Sequence, residues 1–140
     1  MKKTYWGAAF LMCAAANAHA APKTGHWVSV YQDEYGTALV DIHSAAAAAL
    51  PEQAGLKKFG YKYVYTYGVP SLKIEPKGYV QAVHAVNCAA QTRAYLLSQR
   101  FKANGTAMEK AVEMPGYFEP MDLSAAEVNA LYRYMCKAAP

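Results

Sequence analysis

The sequence predicts an α+β fold: an antiparallel sheet of about six strands with a C-terminal α-helix packed on one face and tethered there by a disulfide. Three observations lead to this expectation. Short apolar runs separated by turn signals fill the chain without any βαβ rhythm. The last segment, from Ser124 onward, carries its apolar residues at helical spacing. Two cysteines, Cys88 and Cys136, remain once an N-terminal export signal is set aside.

The export signal is read over residues 1–20. Lys2 and Lys3 supply the positive start, Trp6 to Ala16 the apolar stretch, and Ala18-His19-Ala20 the small residues read by signal peptidase, placing the cut after Ala20. The stretch falls short of the ~20 apolar residues a membrane-spanning helix needs, and no later segment approaches that length. Met12 is too large for the position before a lipidated Cys13, so the signal reads as secretory. The mature chain, 21–140, is a usual size for one domain. Losing Lys2 and Lys3 leaves twelve basic against ten acidic residues, a balance of +2. This weak basicity, with no basic run beyond Lys57-Lys58, argues against a nucleic-acid partner.

His26–Tyr31 and Gly36–Ile42 are apolar runs split by Gln32-Asp33-Glu34-Tyr35, a hairpin pattern. Ser44 precedes the alanine run 45–49, good for one or two helical turns that Pro51 and Gly55 stop. Phe59–Tyr67 is a strand whose Tyr61, Tyr63, Tyr65 and Tyr67 alternate with Lys62, Val64 and Thr66. Pro70 and Glu75-Pro76-Lys77-Gly78 break the chain before the strand Tyr79–Cys88. Gln91–Phe101 reads as the next strand, and Asn104-Gly105 as a hairpin turn into Thr106–Val112. Ser124-Ala125-Ala126-Glu127 matches a capping box that opens the helix. Val128, Leu131, Tyr132 and Met135 then form one stripe with Cys136 at its border. On the strand side, Val80, Ala82, Val86 and Cys88 share a face. A Cys88–Cys136 bridge therefore lays stripe on face, closing a loop of about 48 residues worth at most about 4 kcal/mol.

From Trp27 to Cys136 the chain resembles the bacterial surface-adhesin protein E family. The resemblance rests on Trp27, Asp41-Ile42-His43-Ser44, Val86-Asn87-Cys88 with Thr92-Arg93, Phe101-Lys102-Ala103-Asn104-Gly105, Tyr117-Phe118-Glu119-Pro120 and the late Cys136. It implies a single adhesin-E-like domain over 21–140, with a bent antiparallel sheet and a C-terminal helix tethered on its concave face. In function it implies an outer-surface protein that binds host extracellular-matrix and serum proteins such as laminin and vitronectin. The basic host-binding stretch of the adhesin has no counterpart here.

No catalytic set stands out. Asp41 and His43 point to one side of a strand, and His26 and His84 complete a conceivable metal set, but their spacing matches no metal motif. No Ser-His-Asp set, nucleophile elbow or phosphate-binding glycine loop is present, and Glu109 and Glu113 are a poor glycosidase pair. The sequence thus predicts no enzyme, metal or cofactor. Tyr61, Tyr63, Tyr65 and Tyr67 are the candidate binding surface, since tyrosine offers wide amphipathic contact at low entropy cost. Packing against cross-strand neighbours is the competing use of such a row. The sequence leaves open whether the row lies beneath the helix or on the opposite face. The expected protein is an exported, non-catalytic binding protein of the periplasm or cell surface, with a protein partner. Exposed edge strands also offer a route to a homodimer. The alternative is a periplasmic inhibitor or stabiliser of an envelope enzyme, acting through the Pro70–Pro76 or Met114-Pro115-Gly116 loop.

Overall fold

A computed structural model describes residues 26–43 and 56–137. The expected export signal with Cys13, and the expected helical turns of the alanine run with Ser44, Pro51 and Gly55, lie outside the described residues. Among the described residues, seven strands form one antiparallel sheet: β1 (Val28–Gln32), β2 (Gly36–Asp41), β3 (Leu56–Tyr65), β4 (Tyr79–Asn87), β5 (Thr92–Phe101), β6 (Val112–Glu113) and β7 (Glu119–Pro120). The first five pair in sequence order, and the two short strands both pair with β5. The α-helix α1 (Ala126–Lys137) follows. The expected α+β architecture is the one observed.

The β1–β2 turn is built by Asp33, whose Oδ1 accepts the backbone N–H of Tyr35 and of Gly36. This local bonding is what makes aspartate a turn residue. β3 begins at Leu56, earlier than expected, and ends at Tyr65. Tyr67 therefore sits beyond the strand, before the short 3-10 turn Pro70–Leu72. The chain turns there because Gly68 has φ +75°, and a Cβ on it would lie 2.5 Å from the Ile74 carbonyl oxygen.

The hairpin at Asn104-Gly105 forms: Lys102 N–H donates to the Thr106 carbonyl, and Asn104 Oδ1 accepts the Thr106 N–H. Its second arm is not the strand expected over Thr106–Val112, and only Val112–Glu113 is regular. Glu109 explains the difference. Its carboxylate accepts the Arg100 backbone N–H, where a paired strand would place a carbonyl, and also binds the Arg100 guanidinium at 3.1 Å. β7 was not anticipated. Pro120 is tolerated there because β7 lies at the outer edge of β5.

One face of the sheet carries Ala38 and Val40 of β2, Phe59 and Tyr61 of β3, and Ala82 and Val86 of β4. Leu131 and Met135 of α1 pack on it and complete the core. The helix is fixed to the sheet along its length. The Cys88–Cys136 disulfide forms, with the two Cα atoms 5.5 Å apart. Tyr132 donates its hydroxyl to the Cys88 carbonyl, and Lys57 Nζ donates to the Met135 carbonyl at the helix C-terminus. A cation there also complements the helix dipole.

The capping box, by contrast, does not form. Ser124 donates both its N–H and its hydroxyl to Asp122 Oδ1, and Glu127 turns to the Tyr61 hydroxyl instead. Two local facts defeat the motif. Asp122, two residues upstream, offers a stronger ionised acceptor. The buried Tyr61 hydroxyl needs an acceptor, and Glu127 is the carboxylate above it. Among the described residues, no helix is long and apolar enough to cross a membrane.

Candidate functional site

The tyrosine row lies on the helix-bearing face and not on the opposite one, but the helix covers only part of it. Tyr61 pairs with Val40 and Ala82 and is covered by α1, whereas Tyr63 and Tyr65 continue along the same face past the helix N-terminus. The helix begins above Tyr61, which leaves the rest of the row unroofed. A cleft of about 500 Å³ opens there. Tyr61, Tyr63, Tyr65 and Tyr67 all line it, with Tyr35, Tyr95, His84 and Glu127.

Each wall has a local cause. Gly36 lies opposite Tyr65 in the ladder, and a Cβ on it would come within 2.6 Å of the Tyr63 ring and 2.4 Å of the Val64 carbonyl oxygen. Its bare backbone is what lets the Tyr63 ring lie over β2. The Tyr63 and Tyr65 rings are 4.7 Å apart and inclined at 58°, forming a corner more than a flat ledge. Tyr95 reaches this face because β4 and β5 slip register between Val83 and His84, leaving Leu96 as an extra residue. Such a bulge re-aims the side chains around it. The Arg93 guanidinium lies over the Tyr95 ring, 4.8 Å from its centre, and also bonds its hydroxyl.

His84 forms the floor. It is 2 % exposed, stacks on Tyr61 at 4.8 Å, and meets Phe59 and Tyr95 edge-on. Burial, helped by the nearby Arg93 charge, pushes its pKa down to about 3, so it is neutral at physiological pH. Its Nδ1 is buried without a hydrogen-bond partner. Burial and the neighbouring carboxylates hold the Tyr63 hydroxyl protonated, its pKa pushed up to about 12. Tyr61 is shifted further in the same direction by burial and by the Glu127 carboxylate it donates to.

The conceivable metal set does not assemble. The His26 and His43 rings meet edge-on with centres 5.8 Å apart, but His84 sits in the cleft floor instead. Asp41 is fully buried, and its Oδ1 accepts the His43 backbone N–H. Among the described residues, no group of three or more His, Cys, Asp or Glu side chains is placed to hold a metal. Glu109 is committed to Arg100. The Pro70–Pro76 loop is pinned at three points: Leu72 accepts the Arg100 guanidinium, Glu75 accepts the Ala103 N–H, and Val69 bridges Ile74. Met114, from the other loop, lines the cleft.

No family model, curated protein or solved structure matches this chain. The likeness to the adhesin E family rests on the sequence motifs alone.

Sequence reasoning missed three cleft residues. Glu127 was assigned to helix capping, and only the need of a buried tyrosine for an acceptor distinguishes the two uses. Tyr95 depends on the bulge, which leaves no mark in the alternation of β5. Tyr35 was read only as part of the hairpin turn.

Proposed function

We propose that this protein is an exported, non-catalytic binding module of the cell envelope that receives its partner in the tyrosine-lined cleft. The observation that carries the reading is the unroofed stretch of Tyr63, Tyr65 and Tyr67 beside the helix that covers Tyr61. A concave site of several hundred Å³ with aromatic walls and a few placed polar groups is the usual form of a ligand site. Tyrosines are well suited to it, since they bring large contact area and a hydroxyl at small entropic cost. The resemblance to the adhesin E family points to a protein partner at the periplasm or cell surface, host matrix proteins included, and a disulfide agrees with export. The inhibitor alternative needs a protruding loop, and the pinned Pro70–Pro76 loop is poorly suited to that role.

The test is affinity capture from envelope and host-matrix extracts using the oxidised protein beside a Tyr65→Ser/Tyr67→Ser variant. A partner held by the wild type and lost by the variant supports the reading. Equal capture by both would place binding elsewhere on the molecule. Immobilised laminin and vitronectin test the host-adhesion form directly, and absence of binding at micromolar protein removes that form alone.

A further inference from the structure

We propose that the cleft holds one organic cation, an alkylammonium or guanidinium group seated against the Tyr63 and Tyr65 rings beside the Glu127 carboxylate. This rests on the cleft being a binding site, and it names the chemistry that site selects. Among the described residues that line the cleft, Glu127 is the one acidic side chain, and none is a lysine or arginine. His84 contributes no positive charge, being buried and neutral. The rest of the polar lining is hydroxyl. Six tyrosines surround that carboxylate, and the faces of aromatic rings attract cations through their quadrupole. The inclined Tyr63–Tyr65 pair offers a corner with two such faces, a shape that fits a compact cation better than a flat sugar ring.

The electrostatic field agrees with the shape. Burial is the main cause that keeps Tyr61, Tyr63 and Tyr65 protonated; the Glu127 carboxylate adds to it at all three, and at Tyr63 Asp33 adds more than Glu127 does. The carboxylate share of that effect is a negative potential, which also attracts a cation beside the hydroxyls. The opposing Arg93 charge reaches Tyr61 and His84 but is weaker at Tyr61 than Glu127. Arg93 already occupies the Tyr95 ring, so the chain satisfies that wall with its own cation. On the opposite face Lys62 does the same over Trp27, at 4.4 Å. Among the described residues, no lysine or arginine lies over the Tyr63 or Tyr65 ring, nor over Tyr35 or Tyr67. Glu127 is already aimed by the Tyr61 hydroxyl, and an ionised carboxylate has lone pairs to spare for a second donor.

The experiment follows the aromatic NMR signals of the oxidised full chain at constant ionic strength. The probes are choline, its neutral isostere with carbon in place of nitrogen, and the Nα-acetyl amides of lysine and arginine. The expected result is saturable shifts of the Tyr63 and Tyr65 rings with a cationic probe, and about tenfold weaker binding of the isostere. Glu127→Gln, which keeps an acceptor for Tyr61, should weaken cation binding about fivefold or more while the helix signals stay in place. Preference for choline marks a small quaternary ammonium as the source, and preference for the amino-acid amides marks a side chain of a protein partner. Equal binding of choline and its isostere at Tyr63 and Tyr65 would overturn the cation assignment and leave the cleft as a binding site. Cation-induced shifts confined to residues outside the cleft would overturn it as well. Failure of every probe at tens of millimolar, together with unchanged partner capture by the tyrosine variant, would overturn both readings.

Discussion

Tyr61 is buried beneath the helix, and its hydroxyl is accepted there by Glu127. Tyr61→Phe removes that bond while keeping the ring, and it should cost about 1–2 kcal/mol in urea unfolding. His84 gives a pH signature. In the unfolded chain it takes up a proton near its ordinary value of 6.5, whereas in the fold it resists until about 3. The unfolded state therefore binds more protons below about 6.5, and stability falls as the pH drops from there towards 3. Between pH 7 and pH 5 this amounts to roughly 2 kcal/mol, a loss that His84→Phe should abolish when the two melting curves are compared. Tyr63 acts at the other end. Its folded pKa near 12 exceeds the ordinary value of 10, so its contribution is intact below pH 10 and is lost as the pH rises towards 12. Absorbance titration of the phenolates should show a late step near pH 12, and Tyr63→Phe should delete it.

Helix α1 is too short to persist in water by propensity alone, and it is held by what it touches. Leu131 is almost completely buried, so Leu131→Ala should cost about 2–5 kcal/mol in denaturant unfolding. The disulfide anchors the other end of the same element. Reducing it removes at most about 4 kcal/mol, and hydrogen exchange should rise first over Ala126–Lys137 while β3 and β4 stay protected. Uniform loss of protection would show that helix and sheet unfold as one unit. Gly36 links this scale to the site. A Cβ there meets backbone as well as the Tyr63 ring, so Gly36→Ala should lower stability by about 1–3 kcal/mol and displace Tyr63 from the cleft wall.

At the scale of the whole molecule, a helix shorter than the face it covers creates the cleft. Leu131 and Met135 seal one half of the face over Phe59, Val40 and Val86, and the helix starts too late to seal the other. One ladder of alternating side chains thus serves two ends: its Phe59–Tyr61 half is core, and its Tyr63–Tyr65 half is a half-buried cleft wall. Substitutions in the two halves should therefore separate. Tyr65→Ser should leave the urea midpoint nearly unchanged and reduce partner capture, whereas Phe59→Ala should cost about 3–5 kcal/mol. A loss of stability from Tyr65→Ser as large as that from Phe59→Ala would mean the whole row is core.

Local sequence signals fix the five long strands, the helix and the clamp. Period-two alternation marks β3 and β4, turn residues bound β5, helical spacing marks α1, and the paired cysteines join them, because these signals are local and backbone geometry obeys them. The sequence also singled out the four tyrosines, though not their setting. Tertiary structure decided the rest where two local claims competed for one group. Glu127 left its capping role for the Tyr61 hydroxyl, Glu109 replaced a ladder carbonyl at Arg100, and a register slip brought Tyr95 to the tyrosine face. Each outcome depends on residues distant in sequence meeting across the fold. The cleft is the sum of such meetings, since its opening is set by where the helix stops above the sheet.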